Sequence, residues 1–109
     1  MGTPRRLAGP TQLAGAAATI YTVPALQSAL IRHIHIQNPV GSAATVFTIS
    51  VGADAAGTRE YSTFPLAAGA TPFDWFPYLP LTTGQIIQAF ADVAASMVIT
   101  IGGDEWVAG

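Results

Sequence analysis

Short apolar runs rich in β-branched and aromatic residues recur along the chain, and turns that carry Gly, Pro or Asn separate them. In residues 45–51 apolar and polar side chains alternate, so Phe47, Ile49 and Val51 share one face of a strand. Runs spaced by roughly 8–12 residues are typical of antiparallel sandwiches and barrels. The predicted strands cover residues 19–23, 30–37, 45–51, 59–64, 71–76, 86–91 and 97–101, with a short piece around Trp106.

Helical signals are weak throughout the sequence. Gly and Pro interrupt every longer window, and residues 24–30 are expected to form a turn at most. Two prolines make residues 77–84 a connection and not a central strand. A chain of 109 residues has room for one core. We therefore predict an all-β fold, an antiparallel β-sandwich of jelly-roll type with about eight strands.

The first ten residues differ in pattern from the rest of the chain. They include two glycines and two prolines, which disfavour a helix or a central strand. The sequence Pro-Thr-Gln at residues 10–12 also breaks any apolar stretch that a secretory signal would need. We expect residues 1–10 to form an arm that a neighbouring subunit orders, with Arg5 and Arg6 in an acidic groove of that subunit. Residues 11–109 would then form the sandwich domain.

The composition is unusually poor in charge for a small domain. The chain has four Lys or Arg and six Asp or Glu, which together are 9 % of its residues, against roughly 25 % in an ordinary soluble domain. All four basic residues are arginines. Subunit interfaces are depleted of charged side chains, Lys, Glu and Asp above all. The composition therefore predicts that neighbouring subunits cover much of the outer surface.

Charge, hydropathy and cysteine content narrow the classes of partner. The net charge is −2, and no basic patch extends beyond Arg5 and Arg6, so the footprint of a nucleic-acid-binding protein is missing. No run approaches the ~18 apolar residues of a membrane span, so we expect no membrane partner. The chain has no cysteine, which excludes a disulfide framework and thiolate metal ligands within it.

Six short motifs follow one another along residues 11–107. They are ATIYTVPA (18–25), LIRHIHIQN (30–38), GSAATV (41–46), LAAG (66–69), LTTGQIIQAFA (81–91) and MVITIG (97–102). In this order they resemble the small jelly-roll structural proteins of tailed-phage virions. One departure lies in the turns at 26–27 and 84–85, where such proteins often carry Gly-Lys or Gly-Asp.

The resemblance implies a component of the virion. Such a protein would assemble as a homo-oligomer, with a trimer among the candidate states, on the major capsid protein or on tail subunits. A head decoration (cement) protein is the favoured role. A tail, baseplate or fibre component is the alternative.

The polar residues give no organised catalytic site, so we predict that the chain is not an enzyme. His33 and His35 lie two apart and share a strand face, but a metal site needs further ligands and no carboxylate is near in sequence. We therefore expect no metal and no cofactor, and we assign both histidines to a subunit contact. Asp104 and Glu105 are adjacent, so in a strand they would point to opposite faces and make a poor acid–base pair.

Aromatic residues crowd into residues 71–79. In a strand Phe73 and Trp75 take one face, while Phe76 takes the other with Asp74. One face packs on the core, and the other exposes aromatic side chains that favour interfaces. The alternative is a carbohydrate-binding host-adhesion module, with Trp75, Tyr78 or Trp106 stacking on sugars.

Arg32 interrupts the apolar set formed by Leu30, Ile34 and Ile36. A buried arginine must be paired. Either a bulge turns Arg32 outward, or it meets a carboxylate such as Glu60. The residues expected at subunit interfaces are Arg5, Arg6, His33, His35, Trp75, Phe76, Tyr78 and Phe90.

Overall fold

The computed structural model describes residues 4–107, which form nine β-strands and no helix. The strands are β1 (Pro4–Gln12), β2 (Ala18–Thr22), β3 (Gln27–Gln37), β4 (Val46–Val51), β5 (Arg59–Pro65), β6 (Phe73–Trp75), β7 (Leu79–Leu81), β8 (Ile86–Ala91) and β9 (Val98–Val107). This part of the chain contains no helix long and apolar enough to cross a membrane.

The strands form two sheets, and every pairing is antiparallel. Sheet A has the order β1-β9-β3-β6, and the short β7 also pairs with β3. Sheet B has the order β2-β8-β4-β5. The prediction of an all-β antiparallel sandwich is confirmed. Its assignment to the jelly-roll type stays a prediction.

The core lies between the two sheets and follows the period-two pattern of the strands. In β4 Phe47 and Ile49 are fully buried, and Val51 packs against the core from its edge, as the alternation predicted. In β8 the buried residues are Ile87, Ala89 and Ala91, while the side chains between them are partly exposed. The sequence pattern was therefore sufficient to orient β4.

In β3 buried and outward-facing residues alternate, and this alternation shifts by one residue at a bulge. Ala29 and Ile31 face the core before it, and Ile34 and Ile36 face the core after it. The register with β9 shifts between Ile31 and His33, so the strand carries one additional residue there. This bulge turns Arg32 away from the core, which was one of the two alternatives for that residue.

The expectation of an arm outside the sandwich is wrong, because most of the amino-terminal segment forms a strand of sheet A. Pro4–Gln12 is strand β1, and it pairs with β9 of the same chain from Pro4 opposite Asp104 to Gln12 opposite Val98. Proline and glycine are tolerated because β1 is an edge strand. Gly9, with φ of +82°, allows a close approach: a Cβ there would lie 2.2 Å from the Ile99 carbonyl oxygen. Residues 1–3 lie outside the described residues.

Two further elements differ from the predicted strands. Residues 79–81 form β7 despite Pro80, because this short strand lies at the edge of sheet A and Pro80 stands opposite Leu30. The two carboxyl-terminal strand predictions merge into the single long β9, which runs through Gly102 and Gly103. Gly103 permits the bulge in β3, since a Cβ at this position would lie 2.0 Å from the Leu30 carbonyl oxygen.

Candidate assembly surface

Two histidines and one aspartate meet on the face of sheet A that points away from the core. His33 and His35 come from β3, and Asp74 of β6 stands directly opposite His35. The Nε2 of His33 and the Nδ1 of His35 each donate a hydrogen bond to the same Asp74 Oδ1, both at 2.7 Å. The bond from His35, followed by the bond from His33, lowers the pKa of the Asp74 carboxyl.

Two exposed aromatic side chains extend this surface from His33 toward Arg32. Phe76 is 64 % exposed, and its ring stacks in parallel on His33 with centroids 4.5 Å apart. Tyr78 is 61 % exposed, and the Arg32 guanidinium lies 5.5 Å from the centre of its ring. We call this continuous surface the outer cluster. Its members are Arg32, His33, His35, Asp74, Phe76 and Tyr78.

Arg32 connects the outer cluster to a buried carboxylate beneath it. Its Nε and Nη2 donate to Asp104 Oδ2 at 3.0 and 2.9 Å, and Asp104 has no exposed surface. The hydrogen bond to Asp104 raises the pKa of Arg32. Glu60 was the carboxylate named from the sequence as a partner for Arg32, but the partner is Asp104, which β9 brings beside β3.

Asp104 and the adjacent Glu105 have different partners, as expected for neighbouring residues of one strand. Glu105 accepts hydrogen bonds from the Tyr21 hydroxyl and from Arg5. Burial, followed by the hydrogen bond to Glu105, raises the pKa of Tyr21. The two carboxylates therefore serve two separate ion pairs and do not converge on one site.

Arg5 and Arg6 were expected in an acidic groove of a neighbouring subunit. For Arg5 the structure shows a carboxylate partner within its own chain, Glu105, across the β1–β9 pair, and its contact with a neighbouring subunit stays a prediction. Arg6 makes a long contact from Nη1 to the carbonyl oxygen of Gly9, at 3.5 Å. Both residues therefore have contacts within the domain.

The remaining predicted interface residues lie elsewhere than on the outer cluster. Trp75 stands opposite the buried Ile34 and packs edge-on against Tyr61 at 5.1 Å, so its side chain belongs to the core side of the sheet. Phe90 lies on the outer side of sheet B, where the Arg59 guanidinium approaches its ring to 5.9 Å. The outer cluster thus gathers four of the eight residues named from the sequence.

The contact of Asp74 with the two histidines was not predicted from the sequence. Asp74 was placed on the same strand face as Phe76, which is where the structure has it, but it was not connected to the histidines. That connection depends on the pairing of β3 with β6, whose paired residues are about 40 positions apart in the chain. Local patterns carry no signal for such a pairing.

The comparisons with known proteins give one structural likeness. No family model and no curated protein match the chain. A solved chain from Bacillus endospore appendages, described as a novel family of disulfide-linked pili, is similar with a TM-score of 0.53. The likeness covers 98 % of this chain and 88 % of that chain at 14 % identity. At this identity it shows the fold alone.

Proposed function

We propose that this chain is a structural subunit that associates with further copies of itself through the outer cluster. The observation that carries the proposal is the exposure of Phe76 and Tyr78, at 64 % and 61 %, with Phe76 stacked on His33 and Tyr78 beside Arg32 of the same strand β3. Aromatic side chains are enriched in the centres of protein interfaces, where they bury large areas at low entropic cost. The small share of charged residues in the chain, 9 %, agrees with the depletion of charged side chains at such interfaces.

The finer proposal is a virion protein that decorates the capsid head. It is supported by the order of the six motifs, which resemble small structural proteins of tailed phages. Most of these motifs coincide with strands of the sandwich, among them β2, β3, β8 and β9. A compact sandwich suits a site that is repeated over a capsid surface. A tail, baseplate or fibre position is the alternative within this reading.

The similarity to a pilus chain supports the broader idea of a subunit built into a larger assembly. That neighbour is described as disulfide-linked. This chain has no cysteine, so its assembly would rest on packing and ion pairs alone. Non-covalent assembly is consistent with a subunit that docks on a preformed capsid or tail.

A binding experiment separates these assemblies. The purified chain would be mixed with empty phage heads and, separately, with isolated tails, and the particles would be imaged by cryo-electron microscopy. Regular density on heads supports decoration, and density on tails supports the alternative. A chain that stays monomeric and binds neither particle would contradict the proposed function.

Carbohydrate binding is a second candidate, and the structure gives it one specific observation. The outer cluster places the exposed Phe76 ring on His33 and the exposed Tyr78 ring beside Arg32, so that aromatic faces adjoin polar groups as they do in sugar sites. Glycan-array binding that is lost in Tyr78→Ala, with an unchanged fold, would support it. Absence of binding to every glycan at high protein concentration would remove it.

A further inference from the structure

We propose that His33, His35 and Asp74 form a binding site for one zinc ion on the outer face of sheet A. The inference goes beyond the structural role, and because its three residues belong to the outer cluster it concerns copies in which that face is open to solvent. One ligand atom from each of the three side chains lies within 4.8 Å of the other two. Imidazole nitrogens and carboxylate oxygens are both zinc ligands, and a set of two histidines and one acid is a known combination.

The backbone already brings these donors together. His33 and His35 are held on one face by β3, and the register of β6 fixes Asp74 opposite His35. Both ring nitrogens lie 2.7 Å from the same carboxylate oxygen. Zinc binds such atoms at about 2.0–2.2 Å, so small side-chain rotations make room for the ion between them.

A neutral imidazole can coordinate zinc once its proton lies on the ring nitrogen that faces away from the ion. The ring N–H groups of His33 and His35 now point at the carboxylate. In a zinc complex each neutral imidazole carries its proton on the other ring nitrogen, which is Nδ1 in His33 and Nε2 in His35. The coordinating nitrogens then offer a lone pair, and Asp74 supplies the negative charge.

The surroundings favour zinc over the alkaline-earth ions and hold one ligand in place. Calcium takes six or more oxygen ligands, and magnesium near-octahedral oxygen ligands, but only one carboxylate is present. The stacked Phe76 ring restricts the orientation of His33. The three side chains are 34–42 % exposed, so an ion can enter from solvent and keep a water molecule as its fourth ligand.

The test is a zinc titration of the full chain, purified without a histidine tag and freed of metal by chelation. Affinity would be measured by competition with a chromophoric zinc chelator. We expect one zinc per chain, an increase in Tm with zinc by mass action, and no response to Mg²⁺ or Ca²⁺. His33→Gln, His35→Gln and Asp74→Asn should each weaken binding at least about 10-fold, since even the supporting groups of metal ligands contribute that much.

Glu60→Gln is the matched control, because it neutralises an exposed carboxylate on β5, outside the three-residue site, and should leave the affinity unchanged. The Tm of every variant in the presence of chelator would show that its fold is intact. The zinc-dependent change in Tm of the parent chain gives a reading that needs no variant. Failure of the parent to bind zinc, or unchanged affinity in any of the three ligand variants, would overturn the site.

Discussion

The guanidinium of Arg32 holds the carboxylate of Asp104, and this pair joins the bulge of β3 to β9. Asp104 has no exposed surface, whereas the Arg32 side chain is one-third exposed. Removing the arginine would leave a buried carboxylate without its charge partner, which is far more costly than losing a surface ion pair.

Arg32→Met should therefore lower Tm by at least about 5 °C. Arg59→Met, which removes a more exposed pair with Asp54, is the control and should have a smaller effect. Adding Asp104→Leu to Arg32→Met should recover part of the loss, because an apolar pair no longer contains a buried charge. Thermal unfolding followed by circular dichroism measures all four chains. Equal effects of the two arginine substitutions would contradict this account of the bulge.

Gly103 should be intolerant of any side chain. A Cβ at this position would lie 2.0 Å from the Leu30 carbonyl oxygen, so Gly103→Ala forces β3 and β9 apart. We expect a loss of about 1–3 kcal/mol in the free energy of unfolding. Gly57→Ala, where the added carbon meets nothing within 4 Å, should stay within about 0.5 kcal/mol of the parent. Urea denaturation of the parent and both variants measures these changes. Similar midpoints for the two variants would show that the close approach of Gly103 to Leu30 does not limit the side chain at this position.

Stability should fall in acid partly through Asp54. Hydrogen bonds from Arg59 and Ser50 lower the pKa of Asp54 to about 2. Because the folded state then binds fewer protons than the unfolded state, this contribution is complete above the ordinary pKa of aspartate and disappears as the pH falls towards 2.

The Tm of Asp54→Asn should accordingly lie below that of the parent at pH 6, and the two values should converge as the pH approaches 2. Arg59→Gln removes the same pair from the other side and should show the same convergence. Thermal melts at intervals from pH 6 to pH 2 give both curves. A constant difference across this range would mean that the Asp54–Arg59 pair contributes no pH dependence.

Deletion of residues 1–9 should destabilise the isolated domain. Residues 1–10 were expected to form an arm that a neighbouring subunit orders, but β1 pairs with β9 and Arg5 pairs with Glu105. Arg5→Gln is the matched control, since it removes the Arg5–Glu105 ion pair, whose arginine is 56 % exposed, and keeps the strand; its effect should be smaller than that of the deletion. A Tm that is unchanged by the deletion would show that the strand adds nothing to the stability of the fold.

Strand faces could be predicted where the alternation of side chains within one strand shows which residues point to the core. The alternation of β4 placed Phe47 and Ile49 on the core face, and the assignment of Phe73 and Trp75 to one face, with Asp74 and Phe76 on the other, agrees with the structure. These faces depend only on the two-residue period of a strand.

The errors and omissions depend on long-range pairing. β1 looked like an arm because proline and glycine disfavour strands, and only its place at the sheet edge makes them acceptable. The partner of Arg32 and the meeting of Asp74 with the histidines follow from the neighbours of β3, which are β9 on one side and β6 on the other. Sheet order of this kind cannot be read from the spacing of residues along one strand.

The central claim is that copies of this chain associate through the outer cluster, and sedimentation velocity over a concentration series tests it most directly. The parent chain would be compared with Phe76→Ser/Tyr78→Ser and with Val40→Ser, which removes a side chain that is 88 % exposed in a loop outside the cluster. We predict that the parent and Val40→Ser form the same oligomer, and that the double variant sediments as a folded monomer. A parent chain that remains monomeric at every concentration, or a double variant that assembles as the parent does, would contradict the account.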